Sequence, residues 1–181
     1  MKILGGKLKG RNFYTHADIR PSQNIHRKTL FDILGQDLEG MSFLDIFAGS
    51  GSIGLEAISF GATRVGMIEK NEKVFNMLRE NVLMLTSPEE CSIDLIHADA
   101  FQAIKNLASK GEKYQIVFLD PPYKLDLAKK ALKTIGTHDI LTANCQLVIQ
   151  HERREILPKT QGRFNLYREK QFGDTVLSFY R

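Results

Sequence analysis

Apolar residues in this chain alternate between short continuous runs and longer stretches with helical spacing, and that alternation predicts most of the elements. Ser42–Phe47, Arg64–Glu69, Ile93–His97, Gln115–Leu119 and Cys145–Gln150 read as strands buried on both faces. Between them, Ser52–Phe60 and Ala100–Leu107 read as helices. A longer helix starts at an Asn71 cap, carries Val74, Phe75, Leu78, Val82 and Leu85 on one stripe, and is broken at Thr86-Ser87-Pro88. Another follows Leu127, Ala128, Ala131, Leu132 and Ile135 and stops at Gly136. Phe164–Lys170 and Thr175–Tyr180, around Gly173-Asp174, form a hairpin. Strand and helix in turn, closed by a hairpin, predict an α/β fold with a mainly parallel sheet and an antiparallel edge.

Before residue 41 the pattern changes. Residues 1–15 alternate loosely around Gly5-Gly6 and Gly10, as an extended arm or short hairpin does. A helix then opens at Arg20-Pro21 with Ser22 as its cap and ends at Gly35. Asn24, Arg27, Lys28 and Phe31 share one face of it, and Ile25, Thr29, Leu30 and Ile33 are expected to lie against the body. Two units follow: an N-terminal extension over residues 1–40 and a core domain over 41–181.

Length and composition fit that division. The chain has 181 residues, enough for one domain, and lacks an apolar run long enough to span a bilayer. Its opening residues lack the apolar core of a secretion signal, so a cytoplasmic protein without a membrane partner is expected. Cys91 and Cys145 are far apart and read as small buried residues. His16, His26, His97, His138 and His151 form no ligand pattern, so no metal is expected and each is read as a surface or satisfied residue. The net charge of +4 is unevenly spread. Residues 1–28 carry Lys2, Lys7, Lys9, Arg11, Arg20, Arg27 and Lys28 against Asp18, while the remainder is slightly acidic. A basic arm on a near-neutral body favours a polyanion, and Lys7, Lys9, Arg11, Arg20, Arg27 and Lys28 are the candidate RNA contacts.

Two strand ends carry the candidate chemistry. Asp45-Ile46-Phe47-Ala48-Gly49-Ser50-Gly51 runs from strand to helix, and Gly49, Gly51 and Gly54 satisfy the dinucleotide-binding spacing. Asp45, however, would oppose a pyrophosphate and favour a cationic or zwitterionic ligand. Glu69 ends the next strand and suits a ribose diol; Asp99, after the third, suits an adenine amine; Lys70 and Ala100 adjoin them. S-adenosylmethionine satisfies that set better than a nicotinamide dinucleotide. At the end of the fourth strand, Asp120-Pro121-Pro122-Tyr123 offers a carboxylate, a carbonyl on a stiff backbone and a flat ring. Two acceptors and a stacking surface suit a planar base with an exocyclic amine.

At these residues the chain resembles class I methyltransferases that modify amino groups, and over its whole length it is similar to the RsmD-type 16S ribosomal RNA guanine-N2 methyltransferases. Ile3 to Arg11 matches that family's basic opening, and Arg20-Pro21-Ser22 with Arg27 and Leu30-Phe31 matches its first helix. Asn24 and Lys28 depart from the acid and glutamate usual there. The resemblance implies a Rossmann-like, seven-stranded, mainly parallel sheet with one antiparallel strand. It also implies S-adenosylmethionine on the Gly-rich loop, Glu69 and Asp99, guanine held by Asp120 to Tyr123, and an arm gripping 16S ribosomal RNA or a small-subunit assembly intermediate. The alternatives are adenine-N6 or protein-amide methylation, a nicotinamide oxidoreductase on the same loop, and a non-catalytic RNA-binding assembly factor.

Overall fold

The computed structural model describes residues 1–15, 22–87, 91–123 and 126–181. The helix opening at Arg20-Pro21, its Ser22 cap, the break at Pro88, and the residues His16 and Arg20 lie outside the described features.

Among the described residues, five helices, α1 (Ser22–Leu34), α2 (Ser52–Ser59), α3 (Glu72–Leu85), α4 (Ala100–Ser109) and α5 (Leu127–Thr137), alternate with the first five of eight strands. The strands are β1 (Ser42–Ile46), β2 (Arg64–Glu69), β3 (Ser92–His97), β4 (Tyr114–Leu119), β5 (Leu141–Glu152), β6 (Thr160–Gln161), β7 (Phe164–Phe172) and β8 (Thr175–Tyr180). They form one sheet in the order β3-β2-β1-β4-β5-β8-β7-β6. β1 to β5 are parallel; β8 runs against both β5 and β7. Among the seven long strands β8 is therefore the one antiparallel member. The eighth strand, β6, is two residues long, too short to leave a periodic signal.

Side-chain alternation divides the core into two layers. Phe43, Val65, Met67, Ile116, Phe118, Val148, Leu177 and Phe179 point toward α1, α2 and α3. Leu44, Ile46, Ile68, Val117, Leu119, Leu147 and Ile149 point toward α4 and α5. The arm joins the first layer through Ile3, Leu8 and Phe13, and is held as a loose hairpin by the Lys2–Asn12 bridge. β5 begins four residues earlier than its apolar run. Its polar start, Thr142-Ala143-Asn144, coincides with an irregularity in register against β4, which hides the strand from a pattern of periods.

The orientation of α1 differs from the expectation. Ile25 is 59% exposed, whereas Arg27 and Phe31 are buried. Phe31 packs on the rings of Phe43 and Phe60 in the core. The burial of Phe31 and Leu30 sets the rotation of the helix, and Arg27 is carried inward because Glu56 awaits it there: Nε and Oε1 are 3.4 Å apart. Arg27 also donates to the Lys2 carbonyl at 2.8 Å and to Asn24 Oδ1 at 3.2 Å. Glu56 in turn accepts the Leu4 and Gly5 amides.

Candidate functional site

The carboxyl ends of β1, β2, β3 and β4 lie along one edge of the sheet, where open α/β sheets bind ligands. After β1 the chain turns sharply. Phe47 takes φ +70, Gly49 +58 and Gly51 +85, so the Gly-rich loop curls back before α2 starts. The two later glycines are required by packing: a Cβ on Gly51 would lie 2.4 Å from Leu78 Cδ1, and one on Gly54 2.4 Å from Met67 Sδ. A Cβ on Gly49 would meet nothing within 4 Å. The first glycine thus faces open space and the other two close the loop onto the sheet.

Asp45 lies beneath this loop, almost fully buried, and accepts the Gly54 amide at 3.0 Å. It does not line the cleft beside the loop and instead anchors the first turn of α2. Glu69 braces the loop from the other side, accepting the Gly49 amide at 3.0 Å and the Asn71 amide at 2.7 Å. Each of its oxygens keeps a further lone pair. Asp99 caps α4 through the Phe101 and Gln102 amides, and its second oxygen takes Lys70 Nζ at 3.1 Å. Ala100 is buried at the head of that helix.

A cleft of about 230 Å³ connects the loop to the end of β4. Phe47, Ala48, Gly49 and Ser50 of the loop line it together with Asp120, Gln150, Phe118 and Leu177. Burial pushes the Asp120 carboxyl up to about 7, opposed by a hydrogen bond from Gln150. Asp45 is also raised to about 7, by burial first and then by the charges of Asp120 and Glu69. Pro121 is buried and Pro122 exposed; among the described residues no backbone amide donates to the Pro121 carbonyl. The Tyr123 ring is 48% exposed, and its hydroxyl is tied to Thr175 Oγ1 at 3.0 Å.

Sequence reasoning missed two residues here. Gln150, on β5, lines the cleft with Asp120, and its side chain favours the charged forms of Asp120 and Tyr123, against the effect of their burial. Asn81, on α3, donates to the carbonyls of Tyr14 and Ser50 and accepts the Tyr14 amide, joining the arm to the loop. A polar residue inside an apolar helical stripe is the one signal Asn81 gives. His26 also departs from expectation. It is buried, and its Nδ1 has no hydrogen-bond partner among the described residues. His151 is satisfied by Ser178 and the Glu152 carbonyl, and His97 stacks on Phe75.

Of the candidate RNA contacts, Lys7, Lys9, Arg11 and Lys28 are exposed. Lys9 and Lys28 flank a groove between arm and α1, with Asn24 and Gln36. Arg27 also lines that groove, but it is 3% exposed and paired with Glu56, so it offers almost no charge to a partner.

The whole chain, residues 1–181, matches the family described as Conserved hypothetical protein 95. It belongs to that family. It is 33% identical over 172 residues to the ribosomal RNA small subunit methyltransferase D of Buchnera aphidicola, covering 93% of this chain and 86% of that one. A solved Escherichia coli chain, provisionally assigned as the methyltransferase yhhF, is 29% identical with a TM-score of 0.87, over 99% of this chain and 96% of that one. The S-adenosylmethionine-dependent methyltransferase of Agrobacterium tumefaciens, at 18% identity, shares the fold, with a TM-score of 0.66 over 95% of this chain and 66% of its own.

The residues present suit the cofactor of such methyltransferases. Open space at Gly49, spare acceptor capacity on Glu69 and Asp99, and the Asp120 carboxyl on the cleft fit an adenosine that carries a sulfonium charge. Among the described residues no cluster of His, Cys, Asp and Glu could hold a metal ion, and no helix is long and apolar enough to cross a membrane.

Proposed function

We propose that this protein transfers a methyl group from S-adenosylmethionine to the exocyclic N2 amine of a guanine in small-subunit ribosomal RNA, presented as 16S RNA or an assembly intermediate. The observation that carries this reading is the juxtaposition of Asp120 with the Gly-rich loop across one cleft. The names of the relatives support the substrate class.

The loop residues Phe47 to Gly51, with Glu69, Lys70, Asp99 and Ala100, hold the cofactor, which when bound supplies a methyl group on a sulfonium. Asp45 acts from beneath by fixing the loop. The base enters beside Tyr123, whose ring serves as a stacking platform because its hydroxyl is tethered to Thr175. Asp120 accepts one amine hydrogen and the Pro121 carbonyl the other. Those bonds favour a pyramidal nitrogen, whose lone pair is then freed from the ring to attack; Asp120 takes the proton that the nitrogen loses. Alignment across the cleft supplies much of the remaining rate. Gln150 holds the Asp120 carboxylate in place, and Pro122 keeps the turn rigid. Lys7, Lys9, Arg11 and Lys28 bind the RNA backbone.

The test is incubation of small-subunit particles from cells lacking this protein with S-adenosylmethionine, followed by nucleoside mass spectrometry. N2-methylguanosine with the native protein and none with Asp120→Ala is expected. N6-methyladenosine, or no modified nucleoside with native protein, would refute the assignment.

A further inference from the structure

We propose that β7 carries a second RNA contact, a basic track leading from the target-base corner to a platform of Tyr167 and Arg181, on which a base of flanking single-stranded RNA stacks. This rests on the reading of RNA as the substrate given above, and none of these residues belongs to the N-terminal arm.

Alternate residues of a strand share a face, and the pairing with β8 fixes which one. Arg168 lies opposite Phe179, Lys170 opposite Leu177 and Phe172 opposite Thr175. Leu177 and Phe179 belong to the core layer under α1, so Arg168 and Lys170 stand on that side of the sheet, and both are exposed. One end of this row is the target-base corner, because Thr175 holds the Tyr123 hydroxyl. Glu169 and Gln171 turn to the other face, where Glu169 accepts Ser178 Oγ at 3.2 Å. Among the described residues Arg168, Lys170 and Arg181 have no ion-pair partner.

At the other end of the row the strand bulges. Tyr167 is the extra residue between the Leu166–Tyr180 and Arg168–Phe179 pairs, and a bulge re-aims the side chain it carries. The Tyr167 ring thus meets Phe179, with centroids 6.2 Å apart, and is 37% exposed. Its hydroxyl donates to Gln146 Oε1 at 2.9 Å, which fixes the ring, and the Arg181 guanidinium lies over it, 5.1 Å from the centroid. Burial raises the Tyr167 pKa and the charges of Arg168 and Arg181 oppose that, so both cations stand close to it. A cavity of about 530 Å³ opens beside the pair, lined also by Asn144 and Gln146.

Charges on an edge strand also block unwanted pairing, but that purpose needs neither one sign on one face nor a restrained ring beneath a guanidinium. Phosphates call for cations without opposing acids, and an unpaired base stacks on aromatic rings and guanidinium planes alike. The amides of Asn144 and Gln146 add donors and acceptors for the edge of that base.

The experiment measures binding of native and variant protein, saturated with S-adenosylhomocysteine, to naked 16S RNA across a salt series, and KM for methyl transfer to small-subunit particles. Arg168→Gln with Lys170→Gln is expected to raise Kd about tenfold and to flatten the slope of log Kd against log salt by roughly two ions. Tyr167→Ala is expected to raise Kd about tenfold with the native slope, because stacking releases no counterions. Arg181→Gln, at an exposed residue, tests the same stack without touching the core. KM should rise in parallel, with affinity for S-adenosylhomocysteine unchanged. Folded variants with native Kd and slope overturn the inference, and leave the proposed function standing where native protein yields N2-methylguanosine. A raised KM for particles with native Kd for naked RNA overturns it too, since a ribosomal protein then docks there. Variants that lose RNA affinity while native protein yields no N2-methylguanosine uphold the track and remove the proposed function. Native protein that does not bind RNA overturns both.

Discussion

Arg27 Nε lies 3.4 Å from Glu56 Oε1, and both side chains are almost wholly buried. Through this pair α1 and α2 grip the arm between them, because Arg27 also holds the Lys2 carbonyl and Glu56 the Leu4 and Gly5 amides. Removing one partner leaves the other charge buried alone. Arg27→Met should therefore lower stability by about 3–5 kcal/mol in urea unfolding. The salt dependence of RNA binding by the remaining folded protein should not change.

The opposite behaviour is expected of the exposed cations. Replacing Lys9 and Lys28 with glutamine should leave unfolding within about 0.5 kcal/mol of native. It should flatten the slope of log Kd against log salt by roughly two ions' worth. Filter binding to small-subunit RNA across a salt series measures both slopes; an unchanged slope would remove the groove from the RNA surface.

Asp120 carries a stability cost that depends on pH. Its carboxyl sits at about 7 in the folded protein against an ordinary 3.8. Between those values the folded state keeps a proton that the unfolded chain has released. The stability contributed is thus fully present below the lower value and is lost as pH rises through the upper. Asp120→Asn, neutral throughout, should melt above the native protein at about pH 8 and converge with it at about pH 4, while methyl transfer is abolished. A variant that melts further above the native protein at about pH 4 than at about pH 8 would reverse the assignment.

Two glycines of the loop should respond differently to alanine. Gly51→Ala meets Leu78 at 2.4 Å with φ at +85, and should cost about 1–3 kcal/mol in thermal or denaturant unfolding. Gly49→Ala meets nothing, so it should cost only about 1 kcal/mol of backbone strain. It should nevertheless weaken S-adenosylhomocysteine at least about tenfold, because the methyl stands where the ligand must approach. Calorimetry on both variants separates the two effects.

Asn81→Ala removes three hydrogen bonds that join Tyr14, α3 and Ser50. A loss of about 2 kcal/mol is expected, together with weaker cofactor binding, because the loop loses its tether. Asn81→Ala protein with native cofactor affinity would show that Glu69 and Asp45 hold the loop without it.

The sequence announced elements whose signals are local. The Asn71 cap accepts the Val74 amide as expected, and Arg64–Glu69 forms a strand with the expected ends. The loop glycines and Asp120 also come together across one cleft, because motifs at the ends of neighbouring parallel strands are brought together by topology alone. What could not be read was decided by partners far away in the chain. The inward turn of Arg27 depends on Glu56, 29 residues later, and the placing of His26 on the cleft depends on β7. Gln150 gives no pattern at all, since its role comes from being adjacent to Asp120 across two strands.

β8, the last strand in the chain, occupies the interior of the sheet between β5 and β7. The wall bearing Gln150, Thr175 and Leu177 is therefore unfinished until residues 175–180 slot into a gap left by everything before them. The Gly-rich loop needs strands β1, β2 and β4 alone, whereas the wall behind Asp120 needs β8 as well. Binding of cofactor and competence for transfer should accordingly be acquired at separate moments during maturation.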